Sequence, residues 1–129
     1  QTGYATMMAE DWATGVFNYP NCVGFNKPPV DHYMRPFQLG LLDDDLRKRM
    51  TSNGCSKDHT FLHQYMQQFI QAYPDQPKLG FTWSTYLGHN DPNGFFSADE
   101  YFHKFFEKNK DEFDNSFLFF MGDHGSRIG

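Results

Sequence analysis

The stretch that decides the fold is residues 78–124, KLGFTWSTYLGHNDPNGFFSADEYFHKFFEKNKDEFDNSFLFFMGDH. An apolar residue at every second position predicts a strand over 78–86. Aromatic residues on one helical face predict a helix from 97 to about 110, and the continuous apolar run 116–121 predicts a strand buried on both faces. A strand, a helix and a strand in this order predict two parallel strands joined by a right-handed crossover.

The residues before this stretch extend the same pattern. Residues 5–9 form a short apolar run that predicts a further strand, and residues 18–40 hold so many prolines and glycines that we expect a long loop through most of them. A short helix is expected over 41–50. The clearest helix is 58–73, whose apolar residues all recur on one face and whose end is set by prolines. The predicted fold class is therefore α/β, with a mostly parallel sheet flanked by helices.

Composition limits what this chain can be. It has 129 residues and a formal net charge of -5, and its longest run of Lys and Arg, 47–49, closely follows three aspartates, so we expect no nucleic-acid partner. The longest strongly apolar run, 117–121, is far shorter than the ~20 residues of a membrane span, so we expect no membrane segment here. The apolar residues include 15 Phe and 7 Tyr, which predicts a core rich in aromatic side chains.

Two features leave the cellular setting open. Cys22 and Cys55 are compatible with a disulfide in a secreted protein and equally with two free thiols. The chain starts at Gln1 rather than Met and ends at Gly129, soon after a candidate motif, so we interpret it as an internal piece of a longer protein.

Three polar clusters follow the three predicted strands. They are Glu10–Asp11, His89–Asn90–Asp91 and Asp123–His124. Because the carboxyl ends of parallel strands share one edge of a sheet, and neighbouring strands lie ~4.8 Å apart, we expect these side chains to converge there. This convergence is the main argument from the residues for a functional site.

Asp123 and His124 offer an oxygen and an imidazole nitrogen, a pairing suited to zinc, manganese or iron. The alternative is an Asx-turn followed by a surface histidine. His32 and Arg35 could form an anion pocket or could anchor the loop to nearby carboxylates. His89 has two similar interpretations, as a contact to an anionic oxygen or as a loop cap.

The pair His59 and His63 has the i, i+4 spacing of a metal pair, but a solvated helix face explains the spacing as well.

Three segments of the chain resemble the alkaline phosphatase/sulfatase superfamily, and they occur in the superfamily's order. DNSFLFFMGDHGSRIG, from Asp114 to Gly129, is similar to its apolar strand followed by Asp-His-Gly. LGFTWSTYLGHNDP is similar to its strand that ends in a substrate-facing histidine, and GYATMMAEDWATG to a sulfatase stretch that precedes the site. The particular residues of these segments look most like those of a little-characterised animal branch of the superfamily. That branch is a domain of unknown function with an alkaline phosphatase-like fold.

The resemblance implies a partial alkaline phosphatase-like fold. It implies Asp123 and His124 as ligands of a divalent metal, zinc or manganese rather than calcium, and His89 as a catalytic contact to the transferred sulfuryl or phosphoryl group. The nucleophile would lie upstream of this chain, so residues 1–129 would be an internal part of one domain, lacking its N-terminal nucleophile region and its C-terminal part. We assign six further residues to substrate binding: Glu10, Asp11, His32, Arg35, Asp91 and Arg127.

The chain departs from the superfamily at two positions that bind the sulfate group in sulfatases. Asp11 stands where sulfatases carry a Lys, and Ala13 stands where they carry a His. The cationic groups that hold sulfate in those enzymes are therefore absent at these positions, which argues against a plain arylsulfatase.

The function expected from the sequence is that of a metal-dependent hydrolase or transferase. It would act on a small-molecule, glycan-linked or lipid-linked sulfate or phosphate ester, through a covalent intermediate. The fragment alone would be inactive, and the resemblance suggests a secreted or membrane-anchored extracellular protein. The alternatives are a non-catalytic binding or structural protein that keeps the fold, and a complete small metal-binding domain.

Overall fold

The structure, a computed structural model, describes residues 3–51, 57–89, 91 and 93–125. Its elements, in chain order, are β1 (Ala5–Glu10), β2 (His32–Tyr33), α1 (Arg35–Gly40), α2 (Asp44–Thr51), α3 (Asp58–Ala72), β3 (Lys78–Trp83), a 3₁₀ turn (Gly94–Ser97), α4 (Asp99–Lys108) and α5 (Lys110–Phe113). The chain divides into two compact units, Gln1–Tyr86 and Leu87–Gly129.

The first unit is built on an open, all-parallel sheet. In the described part of the chain this sheet has three strands in the order β2–β1–β3. β3 pairs with β1 along its whole length, and β2 pairs with β1 at Met7 and Met8. The predicted strands at 5–9 and 78–86 are therefore confirmed, the second ending at Trp83, and they run parallel to each other. Their carboxyl ends lie at one edge of the sheet, where ligands bind in open α/β folds. The crossover predicted between 78–86 and 116–121 is wrong, since β3 pairs with β1 and residues 116–121 form no strand.

α3 packs on one face of this sheet. Its predicted extent, 58–73, differs from the observed helix by one residue. The helix buries Leu62 and Phe69 against β1, whose alternate residues point to this face because side chains in a strand alternate. The buried residues of this core are Ala5, Met7, Ala9, Met34, Leu62 and Phe69.

The two shorter predicted helices are also present. The helix expected over 41–50 appears as α2, and the helix expected from 97 appears as α4. Both begin slightly later than predicted, since a hydrogen-bonded turn precedes each of them.

The opposite face of the sheet is covered by the loop after β1. Phe17 of this loop contacts Phe81 of β3 at a ring-centroid distance of 6.1 Å and Phe25 at 5.5 Å. Cover is partial, since Phe81 is 39% exposed and Leu79 is 63% exposed. The expected long loop is present, but it also contains β2 and α1, which a stretch with four prolines did not predict.

The prediction of an aromatic core was wrong. The fully buried positions of the first unit are filled mainly by Ala, Met and Leu, and most aromatic rings are half-buried or exposed. A three-stranded sheet with one helix layer has little volume that is entirely closed, and large rings extend out of it.

The prediction of a buried strand at 116–121 was also wrong for this chain. These residues are irregular and exposed, with Phe117 at 95% and Phe119 at 81% exposure. Phe120 packs instead on Phe102 and Phe106 of α4, with ring centroids 5.4 and 5.8 Å apart. The run is held by contacts within the second unit, and it has no place in the sheet that the structure describes.

The fold class itself is confirmed. The chain is α/β, with an open parallel sheet flanked by helices, consistent with a partial alkaline phosphatase-like fold. The parallel strands at 5–10 and 78–83 carry this result, since they are joined through α3 in the manner of a crossover unit.

Candidate functional site

Asp11 is the first residue beyond β1, and its buried carboxylate accepts hydrogen bonds from the segment that follows β3. Oδ1 accepts a hydrogen bond from Thr85 N at 2.7 Å. Oδ2 accepts one from Ser84 Oγ at 3.0 Å and one from Tyr86 N at 3.2 Å. Asp11 therefore fixes the carboxyl ends of β1 and β3 to each other, and the contacts shown for it are structural.

Tyr86 is held from a second side. The guanidinium of Arg47, on α2, lies over its ring at 5.3 Å from the centroid, a cation–π distance. One more polar atom lies in this segment. Thr85 Oγ1 is buried and has no hydrogen-bond partner among the residues that the structure describes.

Glu10, the last residue of β1, is 2% exposed and holds the next loop. Its Oε2 accepts a hydrogen bond from Val16 N at 3.0 Å. Burial raises the pKa of Glu10, while the Val16 hydrogen bond and the charge of Arg35 act in the opposite direction. Gly15 makes this approach possible: its φ is +83°, and a Cβ there would lie 2.7 Å from both Glu10 Oε1 and Arg35 Nη1.

Arg35, the first residue of α1, belongs to the same edge. Its Nη1 donates to Thr14 O at 2.8 Å. His32 makes different contacts: its Nε2 lies 2.6 Å from the Tyr73 hydroxyl, and its ring packs edge-on against Phe69 and Tyr73 of α3. The structure thus brings Arg35 to Glu10 and places His32 against α3, so the two residues of the expected anion pocket have separate partners.

The remaining candidates lie in the second unit or outside the described residues. His89 and Asp91 are exposed. Asp91 forms an Asx-turn, in which its Oδ1 accepts from Asn93 N at 2.9 Å. Asn90 and Arg127 lie outside the described residues, so the assignment of Arg127 to substrate binding stays a prediction.

Asp123 and His124 are adjacent, exposed residues whose side chains approach each other, and His124 N donates a hydrogen bond to Asp123 Oδ1 at 3.0 Å. His124 Nδ1 lies 2.7 Å from Gly125 O, so this nitrogen carries the proton and Nε2 keeps its lone pair in the neutral ring. Asp123 Oδ2 lies 3.5 Å from His124 Nε2. Two ligands bound to zinc at ~2.0–2.1 Å in tetrahedral geometry are themselves about 3.3 Å apart, so this distance is compatible with a shared ion, and it is equally the distance of an ion pair between Asp123 and a protonated His124.

Further ligands would be needed to complete such a site. Within ranges 3–51, 57–89, 91 and 93–125, no three His, Cys, Asp or Glu side chains come together in a way that could hold a metal ion. Glu10 and Asp11 lie in the first unit, and the other two polar clusters lie in the second. The convergence of the three clusters therefore stays a prediction.

His59 and His63 are not on a solvated face. Both are only 5% exposed, and His63 Nδ1 lies 2.7 Å from His59 O. Burial lowers the pKa of His63, which favours the neutral ring. The solvated-face interpretation of the sequence was wrong here.

Sequence reasoning missed a groove beside Arg35. It has a volume of about 660 Å³, and it opens between the loop after β1 and helix α1. Lys27 lies in its wall. The sequence does hold a signal, since Lys27 is the one charged residue between Asp11 and Asp31. The full lining is Ala13, Thr14, Asn18, Val23, Phe25, Asn26, Lys27, Pro28, Tyr33, Arg35, Pro36, Leu39 and Leu42.

Two further observations concern the helices and the cysteines. No helix in the described residues has both the length and the apolar character needed to cross a membrane. Cys22 is exposed, and Cys55 lies outside the described residues, so the choice between a disulfide and two thiols stays open.

Comparison with known proteins gives one result. Neither the curated proteins nor the solved structures include a match to this chain. All of residues 1–129 match the model of one family, which is described as protein of unknown function (DUF229). The parallel sheet, the anchored edge at Glu10 and Asp11 and the Asp123–His124 pair are thus features of a chain that belongs to the DUF229 family.

Proposed function

We propose that this chain is part of a metal-dependent hydrolase or transferase that acts on sulfate or phosphate esters. The observation that carries the proposal is the Asp123–His124 pair, with donor atoms 3.5 Å apart and the His124 tautomer set by Gly125 O. Both side chains are about half exposed, so an ion and an ester can reach them. The resemblance of the surrounding segment to the alkaline phosphatase/sulfatase superfamily supports the same assignment.

In this proposal Asp123 and His124 hold a divalent ion, zinc or manganese rather than calcium, because an imidazole ligand suits transition metals. Such an ion supplies charge stabilisation to the oxygens of the transferred group. His89 contacts that group, and His124 keeps its Nε2 free of a proton through the bond from Nδ1–H to Gly125 O. The remaining substrate assignments, to Asp91 and Arg127 among others, stay predictions.

The 129 residues are, in the same proposal, an internal part of a single alkaline phosphatase-like domain. The nucleophile belongs to the part of that domain that precedes them, so the fragment alone is inactive. The ester is a small molecule or is linked to a glycan or a lipid, and the protein is secreted or anchored at the cell surface.

The experiment uses the purified full-length protein. Zinc and manganese content is measured by mass spectrometry, and hydrolysis is assayed with 4-nitrophenyl sulfate and 4-nitrophenyl phosphate before and after chelation. We expect chelation to abolish hydrolysis of one ester and the metal to restore it. Asp123→Asn and His124→Ala should each lower kcat/KM by at least about 100-fold, since the ion supplies several kcal/mol of charge stabilisation.

Matched controls come from the same unit. Asp111→Asn and His103→Ala change exposed residues on α5 and α4 and should leave kcat/KM within about twofold. If His124→Ala keeps both its metal and its activity, the assigned site is wrong. If the protein binds metal but hydrolyses neither ester, the non-catalytic alternative is favoured.

One observation favours that alternative, a binding protein that retains the fold. Asp11 stands where sulfatases carry a Lys, and its carboxylate is used to hold Ser84, Thr85 and Tyr86. Three of the roughly four acceptor positions of this carboxylate are therefore used within the protein, which favours a structural role for Asp11. The chelation experiment above separates the two functions.

A further inference from the structure

The groove beside Arg35 differs in charge from the rest of the molecule. The chain has a formal net charge of -5. The lining of the groove nevertheless contains two cations, Lys27 and Arg35, and no carboxylate among the described residues. A concave surface that combines apolar walls with positive charge in an acidic protein is suited to an anionic ligand.

The cationic side of the groove is held in place by hydrogen bonds. Arg35 Nη1 donates to Thr14 O, and Asn18 Nδ2 donates to the same oxygen at 2.6 Å. Glu10 holds the adjoining Val16 N. The guanidinium has five N–H donors, and the bond to Thr14 uses one of them, so further donors remain for the oxygens of an anion, while the neighbouring Glu10 offsets part of the charge of Arg35.

The rest of the lining fits an organic body rather than a bare ion. Phe25 and Tyr33 contribute aromatic rings, and Leu39 and Leu42 contribute apolar side chains. Ligand sites commonly combine such apolar walls with a few placed polar groups, and their volumes run from ~300 to ~1,000 Å³. A volume of about 660 Å³ admits a ring with an attached ester group.

We propose that this groove binds a sulfate or phosphate monoester with a ring-shaped organic body, and that Lys27 and Arg35 are the cationic contacts to its oxyanion. The inference rests on the proposed function for the choice of an ester, but it concerns binding and needs no turnover. It replaces the pocket expected from the sequence, because the second cation that lines the groove with Arg35 is Lys27, whereas His32 packs against α3.

The test measures binding without metal and without turnover. The full-length protein carrying Asp123→Asn is freed of metal by chelation and titrated with 4-nitrophenyl sulfate, 4-nitrophenyl phosphate, inorganic sulfate and neutral 4-nitroanisole, with NMR shift changes as the readout. Added to this background, Lys27→Gln should raise the Kd of the preferred ester by about fivefold to tenfold, because it removes one charge-assisted contact. Its effect on 4-nitroanisole should be less than about twofold.

Lys48→Gln is the matched control, because Lys48 is an exposed lysine on α2 outside the groove and should leave the Kd unchanged. Arg35→Lys provides a second variant that keeps the charge and loses the fork, and it should weaken ester binding while 4-nitroanisole binds as before. Comparison of the two esters decides between sulfate and phosphate.

Three results would overturn the inference: no binding of either ester, an equal Kd in the Lys27→Gln and Lys48→Gln proteins, or inorganic sulfate that binds as tightly as the ester. The two proposals fail separately. If ester binding depends on Lys27 but the protein never hydrolyses the ester, the groove assignment stands and the proposed enzymatic function is wrong. If the protein hydrolyses an ester but its Kd for that ester is unaffected by Lys27→Gln, the groove assignment is wrong and the enzymatic function stands.

Discussion

Asp11 shows how one buried carboxylate can organise the edge of a sheet. Its partners Ser84, Thr85 and Tyr86 are more than 70 positions away in sequence, and each of the three contributes a hydrogen bond. Burying a charged group is costly unless donors surround it, and here two backbone N–H groups and a hydroxyl do so. The acidic residue that motif comparison places in the substrate site thus has a structural explanation.

Asp11→Ala should destabilise the protein by about 2 to 4 kcal/mol. The substitution leaves the part-buried N–H groups of Thr85 and Tyr86 without their acceptor, and an unsatisfied donor that is kept from water costs about 1 to 3 kcal/mol. Urea unfolding followed by circular dichroism measures the free energy of unfolding. Asp75→Ala, at an exposed turn, is the control and should change it by less than about 0.5 kcal/mol. A similar small change in Asp11→Ala would contradict the anchoring role.

Glu10 gives a prediction about pH. Burial raises its pKa in the folded state above the ordinary value of 4.5, so the folded protein binds this proton more tightly than the unfolded chain does. The stabilisation from protonated Glu10 is fully present below pH 4.5 and is lost as the pH rises through the folded-state pKa. Relative to Glu10→Gln, the wild-type protein should therefore be more stable at about pH 4.5 than at about pH 7.

Chemical unfolding of both proteins at the two pH values checks this sign. Asp31 and Glu100, whose pKa values are lowered by hydrogen bonds from Thr6 and Lys104, are present in both proteins and cancel in the comparison. A wild-type advantage that grows from the lower to the higher pH would show that the ionised form is the one the fold prefers.

At the scale of elements, the sequence predicted what is periodic and local. α3 was predicted to within one residue, because its apolar face and the prolines after it define a helix without reference to the rest of the chain. β1 and β3 were predicted for similar reasons. β2 has only two residues and is defined by its pairing with β1, so no periodicity could have indicated it.

The wrong predictions concern which element a segment packs against, not whether the segment is apolar. The run 116–121 is apolar enough for a strand, but its composition does not determine whether it pairs in a sheet or packs against a helix. In the structure, Phe120 packs on α4. The candidate site follows the same rule. The position of Glu10 and Asp11 at a strand end was predictable from the sequence. The bonds from Asp11 to residues 84–86, and the presence of Lys27 and Arg35 in the lining of one groove, depend on the tertiary fold, which sequence spacing does not encode.

At the scale of the whole molecule, the most informative feature is the apolar surface of residues 117–121. Phe117, Phe119 and Met121 are 80% exposed or more, and consecutive apolar side chains with such exposure usually mark a surface that another part of a protein covers. The architecture proposed above, an internal part of a larger domain, predicts that further chain of the same domain covers them.

Hydroxyl-radical footprinting of the full-length protein tests this prediction. A synthetic peptide of residues 114–124 serves as the fully exposed reference, and Tyr19, which is 61% exposed in the first unit, serves as the internal control. We expect Phe119 and Met121 to be oxidised at least about tenfold more slowly in the protein than in the peptide, because covered side chains are shielded from the radical. Oxidation at the rate of the peptide would mean that the run stays exposed in the full-length protein. The 129 residues would then not be the interior of a larger domain, and the proposed upstream nucleophile region would lose its structural argument.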